Sequence, residues 1–344
     1  MKTMQFILAA SLLAISTPFS NAAALPKGQV YSANEGDNTI SVITLPSGKV
    51  NTVTVPITPH NVQISPDGKI LLAVGMPANS HNMVGMDHAG GHDEDEPGQL
   101  LLLDADQPSK ILAIMPAGHH PAHVITDPTG QRAYITSSED NAITVIDLRR
   151  KVLIAKVATG AFPHGLRASP NGSELYVANV KDDSVSVIDT KSLKEIDRIH
   201  VGHAPVQVGF SPDGRLVYVS LRDDNQIAVI DTTNNQITTR VAVGKNPIQV
   251  FASNDGNKVY VANQGSDAQP DDKVSILDAR NNVITSTVTT GLGAHGVVVS
   301  PGSEAAFITN TKANTVSVIN AKSGKVIANY SVGNNPNGIT FRAY

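Results

Sequence analysis

The sequence predicts an all-β fold: a seven-bladed β-propeller of four-stranded antiparallel blades, its ring closed by three N-terminal strands plus one C-terminal strand. Three observations carry this. Pro121, Pro163, Pro205 and Pro247 stand 42 residues apart, and a fixed period of about 40–45 residues is the length of one propeller blade. The same phrase recurs within each period: an anchoring proline, a Val/Ile strand, a Ser-Pro-Asp-Gly-type turn, a Tyr-Val strand, an Asp-Asn turn and a Val-Ile-Asp strand. Apolar residues fall at every second position in Thr39–Ile43, Ala142–Ile146 and Ser184–Ile188, the period-two pattern of a strand packed on its neighbours.

Residues 1–24 read as a signal peptide. Lys2 precedes an apolar run, Phe6–Ile15, too short to span a bilayer, and Ser20-x-Ala22 or Ala22-x-Ala24 offers a small-residue cleavage site. Residues 25–344 are then a single propeller domain. No later segment reaches the ~20 apolar residues of a membrane span, and no cysteine is present for a disulfide or a lipid anchor. The mature chain is expected to be periplasmic or secreted, without a membrane span, and a monomer. A net charge of −4 supplies no footprint for nucleic acid. With no Trp and only 4 % aromatics, base-stacking channels are disfavoured too.

Within a unit we label the strands A to D, with A following the proline anchor and B carrying the Tyr-Val phrase. The first unit, from Val30 to Val55, has B, C and D but no A. The last anchor, Pro336, is followed by one strand and the chain end. Three strands and one strand make one blade, which closes the ring and removes an open sheet edge. Six complete units precede that closure, anchored at Pro59, Pro121, Pro163, Pro205, Pro247 and Ala294. Ser-Pro-Asp-Gly at 65–68 and 211–214 suits the A–B turn, where Pro presets φ and Gly accepts a positive one. Acid pairs such as Asp182-Asp183 and Asp223-Asp224 recur with the period and are read as turn formers. No residue is assigned a catalytic role, since no nucleophile elbow, Cys-His pair, phosphate loop or haem attachment motif occurs.

Tyr176-Val177-Ala178-Asn179, Tyr260-Val261-Ala262-Asn263 and the Val-Ile-Asp elements resemble those of the YVTN-type seven-bladed β-propeller repeat family, over nearly all the chain after residue 24. That resemblance implies the fold and leaves the activity open, since relatives include binding proteins, surface proteins and a few enzymes. Through the blade pattern alone the chain is also similar to haem-d1-type and lactonase-type propellers.

Two units break the period through B–C insertions at 76–98 and 264–273. The smaller is polar and turn-rich, expected as a solvated loop. The larger gathers three of six Met and three of eleven His within 17 positions, a concentration that points to ligation. Imidazole suits Cu(II), Zn(II) and Ni(II), and thioether sulfur suits Cu(I). His81, Met83, Met86, His88 and His92 are the candidate ligands there, copper the expected metal, and the tract is similar to those of exported copper-handling proteins. Alternatively it is an acidic loop whose Met and His are incidental.

Seven of the eleven histidines sit within three residues of an anchor. His60, His164 and His295 directly follow one, and His123 lies two residues after Pro121. Because D–A and B–C connections leave an antiparallel blade on one face, these histidines and both insertions are expected around one mouth of the channel. The expected function is an exported binding protein that takes a metal ion or a protein partner at this D–A/B–C face, with His60, His123, His164 and His295 lining the hub. The alternatives are a hub-site enzyme (a metal-dependent oxidoreductase or lactonase) and a surface scaffold for protein–protein interaction.

Overall fold

The computed structural model describes residues 25–78 and 96–344. The expected signal peptide and loop ligands His81, Met83, Met86, His88 and His92 lie outside the described residues. Among those described, every regular element is a strand, in seven four-stranded antiparallel sheets. Strands β1 (Gly28–Asn34), β2 (Thr39–Leu45) and β3 (Lys49–Thr54) come first. The second blade is β4 (Ile57–Ile64), β5 (Ile70–Pro77), β6 (Gly98–Asp104) and β7 (Ile111–Gly118). The third is β8 (Pro121–Thr126), β9 (Arg132–Ser137), β10 (Ala142–Asp147) and β11 (Val152–Ala158). The fourth is β12 (Pro163–Ala168), β13 (Glu174–Asn179), β14 (Ser184–Asp189) and β15 (Lys194–His200). The fifth is β16 (Pro205–Phe210), β17 (Leu216–Leu221), β18 (Gln226–Asp231) and β19 (Gln236–Ala242). The sixth is β20 (Pro247–Ala252), β21 (Lys258–Gly265), β22 (Pro270–Asp278) and β23 (Val283–Thr289). The seventh is β24 (Ala294–Val299), β25 (Ala305–Asn310), β26 (Thr315–Asn320) and β27 (Lys325–Ser331).

Strand β28 (Pro336–Ala343) then pairs antiparallel with β1, Val30 opposite Phe341. The first and last strands therefore share a sheet, as the sequence predicts. Residues 264–273, expected as a solvated loop, instead lengthen a hairpin: Asn263 pairs with Lys273 and Gly265 with Pro270. Pairing satisfies backbone groups that a loop would leave to water.

The period is held together from inside. Tyr31, Tyr134, Tyr176, Tyr218, Tyr260 and Phe307 occupy one position in their B strands and are almost fully buried. Each such burial contributes about 1.5–3 kcal/mol. Tyr176 packs with Val208, Val217 and Phe210 of the following blade, and its hydroxyl donates to Asn235 Oδ1 there at 2.6 Å. The recurring Asn that ends the B phrase is a brace across the B–C turn. Asn34, Asn179 and Asn310 each donate from Nδ2 to two hydroxyls of the following strand, at 2.9–3.0 Å. The Ser-Pro-Asp-Gly turns close similarly: Ser65 Oγ donates to Asp67 Oδ1 at 2.7 Å and accepts from Ile70 N at 2.9 Å, while Gly68 sits at φ 71°.

Candidate functional site: a polar ring at the channel mouth

The seven A strands, β4, β8, β12, β16, β20, β24 and β28, contact one another in that order around the channel. Their entry loops are tied down on both sides. In four blades the backbone carbonyl just before the anchor accepts from the first residue after that blade's B strand: Ser138 N to His120 O, Val180 N to Phe162 O, Arg222 N to Ala204 O and Glu35 N to Asn335 O, all at 3.0–3.1 Å. From the preceding blade, Asn141, Asp183, Asn225 and Asn314 accept the N–H of Phe162, Ala204, Asn246 and Asn335 at 2.7–2.9 Å. These acceptors are the turn residues at positive φ, 49–54°, so the recurring Asp and Asn are turn formers that also stitch blades together.

A second device sets which side chains face the channel. All seven A strands carry a β-bulge at their start; against β9, for instance, Pro121 pairs with Ser137 but Val124 with Ile135. The extra residue turns the chain, so both the first and the second residue after an anchor reach the hub. Thr136 fixes two of them by their backbone, accepting from His123 N at 2.9 Å and donating to His164 O at 2.6 Å. Ser220 and Thr309 repeat this clamp on Gln207 and Ile248, and on Gly296 and Asn337.

The outcome is one polar side chain from every blade: His295, Asn337, His60, His123, His164, Gln207 and Gln249, in order around the ring. All are buried except His60, whose side chain is 17 % exposed. Glycines make the close approach possible. A Cβ on Gly165 would lie 2.4 Å from Gln207 Oε1 and 2.5 Å from Val206 O, and one on Gly338 would lie 2.6 Å from Asn61 Cα.

Three of the four predicted hub histidines converge. His60, His123 and His164 each bring a ring nitrogen within 4.8 Å of the other two, and His60 Nε2 lies 3.3 Å from His164 Nε2. The ring of His123 stands 5.9 Å from that of His60 and 4.9 Å from that of His164. Behind the cluster, Glu35 Oε1 lies 2.9 Å from His60 Nδ1, Asn337 Nδ2 donates to Glu35 Oε2 at 3.0 Å, and Val206 O lies 3.3 Å from His164 Nδ1. Gln207 and Gln249 place their amide nitrogens 3.4 and 3.5 Å from the two nitrogens of His123. His295 does not join the three. It is 3 % exposed, and its Nδ1 has no hydrogen-bond partner. His119 and His203 stay on the rim, held by Asp140 and Asp224 at 2.6 and 2.7 Å.

Burial favours the neutral form of three hub imidazoles. Burial, reinforced by neighbouring imidazoles, lowers His123 and His164 well below the usual histidine range, and lowers His295 to about 4. For Glu35 burial alone would raise the carboxyl. The charge and hydrogen bond of His60, the Asn337 amide and His295 outweigh it, bringing the group down to about 2. A carboxylate only accepts, so His60 Nδ1 carries the proton towards Glu35; by the same reasoning His164 Nδ1 donates to the Val206 carbonyl. In the neutral form of both rings each Nε2 presents a lone pair, and these two lone pairs face each other.

Glu35, Asn337, Gln207 and Gln249 are site residues that the histidine pattern does not reveal. The repeats do contain a signal for Glu35. The residue that follows the anchor's pairing partner is Met76, Ser138, Val180, Arg222, Gln264 or Thr311 in the other blades, and only Glu35 is acidic at this position.

Among solved structures the chain is similar to hydrazine synthase of Kuenenia stuttgartiensis (18 % identity, TM-score 0.69), covering 83 % of this chain and 90 % of that one. It is also similar to a functionally unknown protein from Desulfotomaculum acetoxidans (16 % identity, TM-score 0.73; 92 and 99 % covered). A putative 6-phosphogluconolactonase from Bacteroides fragilis aligns at 14 % identity with TM-score 0.72, covering 94 and 99 %. At such identities these likenesses show a shared fold. No match is found among the curated proteins. A family model does match, over residues 112–268 and 214–342, and with the closed seven-bladed ring it assigns the chain to the YNCE-like beta-propeller family.

Proposed function

We propose that this propeller is an exported metal-binding protein whose centre is His60, His123 and His164, with copper the first candidate. The observation that carries the reading is the pair of Nε2 atoms 3.3 Å apart with both Nδ1 positions already committed to acceptors. Two facing lone pairs repel unless a cation lies between them. With metal–nitrogen bonds of about 2.0–2.1 Å, two tetrahedral ligands stand about 3.3 Å apart. Glu35 completes the carboxylate–histidine arrangement that orients a ligating imidazole and raises its basicity.

Three imidazoles suit Cu(II), Zn(II) or Ni(II). His81, Met83, Met86, His88 and His92 belong to a segment whose two ends, Pro77 opposite Ile57 and Gly98 opposite Gly118, lie at the D–A end of their blade. That end carries the hub histidines, which supports a loop that delivers or retains Cu(I). His295, outside the three, would line the hub beside them. Three protein ligands also leave a fourth position open, and that observation favours the hub-site enzyme as the second reading.

Titration of the full chain with Cu(I), Cu(II) and Zn(II) tests the proposal. One tight equivalent should vanish in His60→Ala and His164→Ala while the β-rich circular dichroism persists. Undiminished binding in both variants would remove the hub from the function. Deletion of residues 79–96 should lower Cu(I) binding selectively; unchanged Cu(I) affinity would take the loop out of the proposal.

A further inference from the structure

The seven A strands carry two residues with permanent charge. One, Arg342, is engaged by Asp106 at 2.6 Å at the far end of β28. The other is Arg167, on β12 three residues below His164. No aspartate or glutamate lies on any A strand. Among the described residues no carboxylate pairs with Arg167; its guanidinium folds back to donate to the Leu166 carbonyl at 2.9 Å. One carbonyl satisfies one of five N–H donors. Arg167 is partly buried, which lowers its guanidinium to about 10 with no acid nearby to oppose the effect, yet it stays cationic at neutral pH. Its charge in turn helps to depress His123. At the same register on the adjacent inner strand stands Gly209, which presents no side chain.

A cation partly withdrawn from water without a counter-charge is destabilising, and a protein that retains one on a channel-lining strand has a use for it. We propose that Arg167 makes the channel a binding site for a small organic carboxylate, its two oxygens taken by the guanidinium fork and its remaining polar groups directed to the ring of histidines and amides above. The planar fork matches a carboxylate in two parallel N–H···O bonds. The two residues of A strand between Arg167 and the level of Gly165 rise about 6–7 Å. That suits a molecule a few atoms long with a second donor group, so a short dicarboxylate or a hydroxy or amino acid fits better than acetate. The site does not depend on a metal.

Malonate is the probe, titrated into the metal-free full chain with ionic strength held constant by sodium chloride. The expected results are a saturable heat of binding and a rise in Tm above that given by equal ionic strength of chloride. Arg167→Gln should weaken malonate at least tenfold while leaving the metal stoichiometry intact; Arg167→Lys, which keeps the charge and loses the fork, should fall between. If neither variant folds, the wild-type comparison of malonate with chloride decides alone. Equal stabilisation by the two anions, or malonate affinity within twofold in Arg167→Gln, overturns the proposal. Metal binding without malonate binding would sink this site and leave the metal centre standing, and the converse result would do the opposite.

Discussion

Replacing Glu35 by Gln isolates the group that orients the His60 imidazole without altering any of the three proposed ligands. The carboxylate sits 2.9 Å from His60 Nδ1 and is itself held by Asn337 at 3.0 Å. The amide of the Glu35→Gln variant keeps an acceptor near His60 but loses the negative charge, and its nitrogen meets the Asn337 donor. Loss of such an outer partner typically costs 10–100-fold in metal affinity, or about 1.4–2.7 kcal/mol at 1.36 kcal/mol per decade. Because Glu35 is lowered to about 2, it is ionised at pH 6 and at pH 8, so the charge that the variant removes is present at both. Competition against a chromophoric chelator with Cu(II) or Zn(II), at both pH values, measures the loss of affinity. Affinity within twofold of wild type, in a variant with unchanged Tm, would refute the claim that Glu35 acts through His60.

Three further outcomes are expected. His295 is buried, with a folded-state value of about 4 against 6.5 unperturbed. Between those values the unfolded chain takes up a proton that the native chain refuses. Stability is therefore undisturbed above pH 6.5 and falls as pH drops to about 4, by about 3 kcal/mol from this group, with His123 and His164 acting in the same direction. Urea unfolding of wild type and His295→Gln at pH 7.5, 5.5 and 4.5 checks this; parallel pH profiles for the two would count against it. Gly165→Ala sets a Cβ against the Val206 carbonyl at 2.5 Å and should cost about 1–3 kcal/mol through overpacking, read as a lower Tm. Asn310→Ala removes two donors to the Thr315 and Ser317 hydroxyls and should cost about 1–3 kcal/mol as buried groups lose their partners; a neutral substitution would deny the brace its role.

Read alone, the sequence determines the architecture. A 42-residue period with a repeated turn chemistry dictates seven near-identical blades, and a first unit without an A strand beside a final unit with nothing else dictates how the ring closes. These features are local and repeated, so each blade restates the rule. The register of the histidines was legible for the same reason: His60, His164 and His295 follow their anchors directly. Which histidines meet was decided by the tertiary structure. His123 stands one position later than His60 and His164, and only the bulge at the start of the A strands lets both positions reach the hub. His295 shares the predicted register yet is separated from His60 by the blade that carries Asn337. Glu35 arrives from the B–C turn of the closing blade, 25 residues before His60, through the backbone bond to Asn335 that ring closure creates. A period describes one blade at a time; convergence at the hub depends on seven of them being closed into a circle, where residues far apart in the chain become neighbours.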